Sequence, residues 1–147
     1  MKERITKLAQ EIAGRATEIR HDLHRHPEIA YDEKRTSVVI RDFLNSVGVT
    51  NDQCTETGVV ATVGSGGGRT VALRADIDAL PMPDLSGLPH ASENTGVAHA
   101  CGHDGHTAIL LGAAWALKQL EGELKGTVKF IFQPAEEIGR ASCRERV

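Results

Sequence analysis

Apolar residues recur on one face across residues 4–26. Ile5, Leu8, Ile12, Ala16, Ile19 and Leu23 share it, and the opposite face is charged. This spacing predicts an amphipathic helix. Pro27 stops it, since proline lacks the amide hydrogen that a continuing turn needs. A second helix is predicted from near Asp32 or Thr36, with Val38, Val39, Phe43, Leu44 and Val47 in period and Gly48 as its C-terminal cap. The β-branched runs Val59–Val63 and Thr70–Arg74 flank Gly64-Ser65-Gly66-Gly67-Gly68, a pattern that predicts a hairpin with a flexible turn. Residues 81–96 carry Pro, Gly, Ser and Asn and read as loop. Residues 107–120 form a third predicted helix, with Ile109, Leu110, Ala113, Ala114 and Leu117 apolar. Residues 127–132 read as a strand, Val128, Phe130 and Phe132 alternating with Lys129 and Ile131, ended by Pro134. Helices first, then strands with a helix between them, predict an α/β sandwich.

The last ten residues, 138–147, follow neither period. Back-translated, Ile138-Gly-Arg-Ala-Ser-Cys-Arg-Glu-Arg-Val147 spells a common sequencing adapter, so the expectation is a non-native tail that takes Cys143 out of the chemistry.

A chain of 147 residues can bury one ordinary core, and no linker divides it. The formal charge of −3 gives no electrostatic reason to expect nucleic acid or an anionic membrane as partner. The longest apolar stretch, Ile109 to Leu117, is broken by Gly112 and too short to span a bilayer. The Met-Lys-Glu-Arg start lacks a signal-peptide core, so the expected location is cytoplasmic. Cys54, Cys101 and Cys143 are an odd, widely spaced set and no disulfide framework. Of the seven histidines, His99, His103 and His106 fall within eight residues that also hold Cys101, which points to a metal.

Three constellations carry chemistry. In His99-Ala-Cys101-Gly-His103-Asp104-Gly-His106, a thiolate and an imidazole two residues apart suit zinc, and imidazole also suits manganese, iron, cobalt and nickel. Read as an extended segment before a helix at Thr107, it would aim Cys101 and His103 the same way and lower the thiol pKa through the helix N-terminus. Arg74-Ala-Asp76-Ile-Asp78-Ala-Leu-Pro places two carboxylates at a strand end, where open α/β sheets hold their sites, although aspartate there more often begins a turn. Phe132-Gln-Pro-Ala-Glu136-Glu137 follows another strand: one carboxylate can hold a metal while the other takes a proton from water, or the pair is an acidic turn. Together these are parts for activating water against a carbonyl. The Gly64–Gly68 turn lacks the ending of a phosphate loop, and no serine-hydrolase signature is present.

With Leu23-His-Arg-His-Pro-Glu28, these motifs stand in the order and spacing of the peptidase M20 amidohydrolases, and the chain resembles that family over residues 5–137. The similar branch holds hippurate hydrolases, other N-acyl-amino-acid amidohydrolases, N-acetyldiaminopimelate deacetylases and auxin-conjugate hydrolases. The resemblance implies a three-layer α/β/α catalytic domain with a mixed sheet, of which residues 1–137 are the N-terminal part, and a lid and dimerisation domain lying outside this chain. It implies two divalent cations (Mn, Zn, Ni or Co), an N-acyl-amino-acid substrate and a homodimeric parent. Carried over, Cys101, His103 and Glu137 match metal ligands, Glu136 the general base, and Asp76 and Asp78 the acidic pair in catalytic support. Asp104 and His106 match motif positions without an assigned role. Two further metal-binding histidines of the family fall outside this sequence. Two rival readings remain: a non-catalytic metal-binding module, and an M20-type di- or aminopeptidase, the latter opposed by Cys101 where peptidase branches more usually carry Asp.

Overall fold

The computed structural model describes residues 2–64 and 66–138. Of the tail read as non-native, residues 139–147 and with them Cys143 lie outside the described residues. The order is α1 (Lys2–Arg25), α2 (Lys34–Ser46), β1 (Thr50–Gln53), β2 (Val59–Gly64), β3 (Thr70–Asp76), α3 (His103–Gln119), a 3-10 turn (Glu121–Glu123) and β4 (Thr127–Gln133). The strands form one mixed sheet in the order β1-β2-β4-β3. β2 pairs antiparallel with β1 and β4, and β3 runs parallel to β4. The α/β class and mixed sheet are those expected. Among the described residues, no helix is long and apolar enough to cross a membrane.

One face of the sheet supplies Val59, Ala61, Val63, Ala75, Phe130 and Phe132 to a cluster that Ile12, Ile40, Phe43, Leu44, Leu110, Leu111 and Ala114 complete. All three helices therefore pack toward the same side, and the described residues contain the sheet and one helical layer. The period reading misplaced three residues: Ile5, Val38 and Ile109 are 48%, 55% and 72% exposed, while Thr36, Ser37 and Ile40 take the buried face of α2. β1 carried no apolar signal because Thr-Asn-Asp-Gln is an edge strand, mostly exposed.

The hairpin expected between β2 and β3 does not form. They run in opposite directions, but β4 lies between them and pairs with both. The apolar alternation of β4 explains the insertion, since Phe130 and Phe132 are completely buried only at the centre of the sheet. The glycines admit β4 instead of making a tight turn. A Cβ on Gly64 would strike the Gly126 carbonyl oxygen, one on Gly68 that of Lys125, and one on Gly126 that of Arg69. Thr127 N–H donates to the Arg69 carbonyl at 3.0 Å in the same crossing.

A methyl group at this crossing should be costly. Gly126→Ala is expected to lower the unfolding free energy by roughly 1–3 kcal/mol through overpacking. Gly67→Ala, whose Cβ meets open space, is expected not to lower it. Urea unfolding followed by circular dichroism compares the two.

Candidate metal centre

The parallel pair β3–β4, joined through α3, fixes where the chemistry falls. Asp76 and Gln133 are paired at the carboxyl ends of the two strands. A helix that joins parallel strands starts near the end of the first, so the N-terminus of α3 opens at the same edge. Asp76 and Asp78 leave β3 there, Glu136 and Glu137 leave β4 there, and His103 is the first residue of α3.

The helix begins four residues before the predicted Thr107. The expected extended Cys–His segment is therefore broken at Gly102, which takes φ +82°, with Cys101 outside the helix and His103 inside it. Glycine occupies that left-handed backbone without the Cβ penalty. The lowered thiol pKa expected from the helix is also corrected. Cys101 is exposed, and its hydrogen bond to the Glu137 carboxylate, with some burial, pushes its pKa up to about 11. The adjacent carboxylates outweigh the helix end.

His103 is buried, and its Nδ1–H donates to the Asp78 carbonyl oxygen at 2.9 Å, with Asp78 Oδ1 3.3 Å away. This leaves Nε2 as the available donor atom of the ring, 3.9 Å from Glu137 Oε1. The hydrogen bond with Asp78 outweighs burial and raises the His103 pKa to about 9. Burial of Asp78 opposes its charge, but hydrogen bonds from His103 and from Glu137 N–H, at 2.9 Å to Oδ2, hold its pKa below the ordinary value.

The turn carrying Glu136 and Glu137 is pinned by a residue that sequence reasoning missed. Glu33 is completely buried and accepts from Thr57 Oγ1 at 2.7 Å and from Ala135 N–H at 2.9 Å. Ala135 has φ +59°, an uncommon backbone for a residue with a Cβ, so the turn depends on such contacts. Asp104 has a positioning contact too: Oδ2 accepts from Arg20 Nε and His24 Nδ1, both at 2.8 Å, tying α1 to the first turn of α3. Glu28 serves the other motif by accepting from the N–H groups of Arg35 and Thr36 at the start of α2. A carboxylate just upstream of a helix start was the available sequence signal for that cap.

Among the described residues, two sets of donors converge to within 4.8 Å: Asp76, His103 and His106, and His103, Glu136 and Glu137. The Cys101 thiol is within hydrogen-bonding reach of Glu137 and so borders the second set. Asp78 stands behind His103, and Asp76 pairs with Arg74. All six sequence-designated site residues thus gather at one edge of the sheet. Among the described residues, Glu137 Oε1 is buried without a hydrogen-bond partner. A bare carboxylate oxygen facing an imidazole nitrogen suits a divalent cation, which supplies the missing charge partner.

An α/β scaffold that gathers such donors beyond the carboxyl ends of parallel strands suits metal-dependent hydrolysis. The chain belongs to the peptidase family M20/M25/M40, whose model matches residues 72–146. It is 46% identical over 128 residues to an N-acetyl-L-cysteine deacetylase of Bacillus subtilis, covering 86% of this chain and 31% of the relative. It is 42% identical over 148 residues to an N-acyl-L-amino acid amidohydrolase of Geobacillus stearothermophilus, covering 99% and 40%. A solved dinuclear metal-binding peptidase of the M20 family from Bacillus subtilis superposes with TM-score 0.85 at 46% identity, over 89% of this chain and 37% of that one. The chain spans between 31% and 40% of the length of these relatives.

The raised pKa of His103 sets a pH dependence for the metal-free chain. The fold binds this proton more tightly than the unfolded chain, so the contribution is fully present below 6.5 and is lost as pH rises through about 9. NMR titration of the ring should give a midpoint near 9, and Asp78→Asn should bring it down toward or below 6.5. An unchanged midpoint in the variant would contradict the role given to the Asp78 carboxylate, whose Oδ1 lies 3.3 Å from His103 Nδ1.

Proposed function

We propose that this chain is the N-terminal part, over residues 1–137, of the catalytic domain of a metal-dependent amidohydrolase that cleaves the amide bond of N-acyl-amino acids, hippurate-type or N-acetylated. The observation that supports it most is the convergence of His103, Glu136 and Glu137, with Cys101 in reach of Glu137, at the common end of β3 and β4. The amidohydrolase and deacetylase relatives support the substrate class, and the dinuclear relative supports two metal ions. This reading takes them to be divalent cations drawn from Mn, Zn, Ni or Co.

In this reading Cys101, His103 and Glu137 hold metal. Bound cations supply Lewis-acid polarisation of the amide carbonyl and acidify water. Glu136 takes the proton from the attacking water and returns it to the leaving amine nitrogen. Asp78 fixes the His103 ring by occupying its Nδ1 side, so that Nε2 faces Glu137. Asp76, held by Arg74, keeps a second carboxylate beside His106. The parent acts on a small molecule as a homodimer in the cytoplasm, and residues 138–147 are a non-native tail. The peptidase alternative draws on the description of the dinuclear relative, and a panel of acyl-amino acids against dipeptides separates the two.

For the parent protein, Glu136→Gln is expected to reduce kcat by about 10²–10⁴-fold, the range of a general base, while metal content stays unchanged. Glu137→Gln and Cys101→Ala should lower metal content itself. A chelator should abolish hydrolysis and added manganese or zinc restore it. Turnover that survives both Glu136→Gln and exhaustive chelation would refute the mechanism.

A further inference from the structure

Asp76, His103 and His106 each offer a ligand atom within 4.8 Å of the other two. Two imidazoles and a carboxylate suit zinc, with three protein donors and one position left open. The set of His103, Glu136 and Glu137 has one imidazole and two carboxylates, so it is the harder of the two. The His103 and His106 rings stand 5.6 Å apart between centroids, tilted by 32°. They leave α3 three residues apart, so one face of its first turn carries both. Asp76 meets them from the last position of β3. Thr107 Oγ1 donates to the Asp76 carbonyl oxygen at 3.2 Å, which docks that turn of the helix on the strand end.

The place is open to solvent. His106 is exposed, and with Asp76 it lines a cavity of about 430 Å³ whose wall also holds Leu73, Arg74 and Ile109. Arg74 donates to Asp76 Oδ1, so a cation here competes with a guanidinium. His103 Nδ1 is committed to the Asp78 carbonyl oxygen, which leaves Nε2 as the one ring atom that either set can use. A single lone pair binds a single ion.

We infer that Asp76, His103 and His106 form an accessory zinc site whose occupation takes His103 away from Glu136 and Glu137. Imidazole binds zinc more strongly than manganese, so the nitrogen-rich set selects zinc. Exposure and the competing Arg74 make it a site that fills when zinc is in excess. Zinc then holds the neighbouring centre short of a donor and acts as an inhibitor. The inhibition rests on the amidohydrolase reading; the site itself does not.

The test uses the full chain carrying Glu136→Gln and Glu137→Gln, which removes the competing set. Zinc chloride is titrated against its 15N-labelled imidazoles, the His106 ring being assigned by its loss in His106→Asn. The His103 and His106 rings should shift together and saturate at one zinc per chain. Adding Asp76→Asn, or His106→Asn at its exposed position, should weaken zinc at His103 at least about tenfold. A His106 ring blind to zinc, or an affinity that neither added substitution changes, would overturn the site. In the manganese-loaded parent, zinc should lower turnover of acyl-amino acids. His106→Asn should raise the zinc concentration for half-inhibition at least about tenfold, each protein being compared with its own zinc-free rate. Equal zinc sensitivity would overturn the competition for His103. The two readings fail separately. A parent inert toward every acyl-amino acid, with a His106 ring that binds zinc, removes the hydrolase and leaves the site. An active parent with a zinc-blind His106 ring removes the site and leaves the hydrolase.

Discussion

The parallel pairing of β3 with β4 is the constraint on which the site depends. Parallel strands need a crossover, and α3 supplies it from the end of β3 back to the start of β4. Three chain segments far apart in sequence therefore emerge at one edge: residues 76–78, 101–106 and 134–137. If β2 and β3 paired directly as a hairpin, β4 would lie at the margin of the sheet and Glu136 and Glu137 would leave from another place. The glycines at 64, 68 and 126 remove the side chains that would block the passage of β4. Residues remote from the site thus decide whether its donors meet.

The electrostatics of the edge follow from its topology. The N-terminus of α3 carries partial positive charge, which disfavours a cation placed directly against it. Asp76, Asp78, Glu136 and Glu137 offset this with four carboxylates, and the raised pKa of His103 shows which influence prevails. In the metal-free chain the proton on His103 balances the acids. A metal ion held at Nε2 would displace that proton, which would couple uptake to proton release. Only one nitrogen of the ring is available, since Nδ1 is committed to Asp78. The two donor sets that share His103 are therefore alternatives at this residue, and a centre of two cations must draw on other donors for one of them.

Much of this was legible in the sequence. The six candidate residues could be singled out because short motifs placed metal-ligand and acid groups next to elements whose periods were clear. α1 and β4 were legible for the same reason: one apolar stripe, and one strict alternation. The pairing of strands was not, because a glycine-rich link between two β-branched runs reads equally as a hairpin turn or as a gap for a third strand. The start of α3 was missed because its first turn is polar; His103, Asp104 and His106 carry no apolar period. The thiol pKa was misjudged for a related reason. It depends on Glu137, a neighbour in space and not in sequence. Glu33 was invisible because a buried glutamate has no local pattern; only its partners Thr57 and Ala135 give it meaning.

Those partners also bear on the division of roles between adjacent acids. Consecutive residues in a regular strand point to opposite faces, and in a regular helix they diverge by about a third of a turn. For Glu136 and Glu137 both to reach His103, the chain after β4 must depart from either geometry. Ala135 makes the departure at φ +59°, and Glu33 holds it by accepting the Ala135 N–H inside the protein. Asp78 accepts the Glu137 N–H on the other side of the pair. The two acids are thus held through their backbones, which leaves both carboxylates free for chemistry. Glu137 turns a buried, unpartnered oxygen toward His103, as a ligand requires, and Glu136 sits within the same 4.8 Å set as a second, adjacent carboxylate. One acid bound to metal and its neighbour free to exchange a proton is an arrangement that buried backbone anchors make possible.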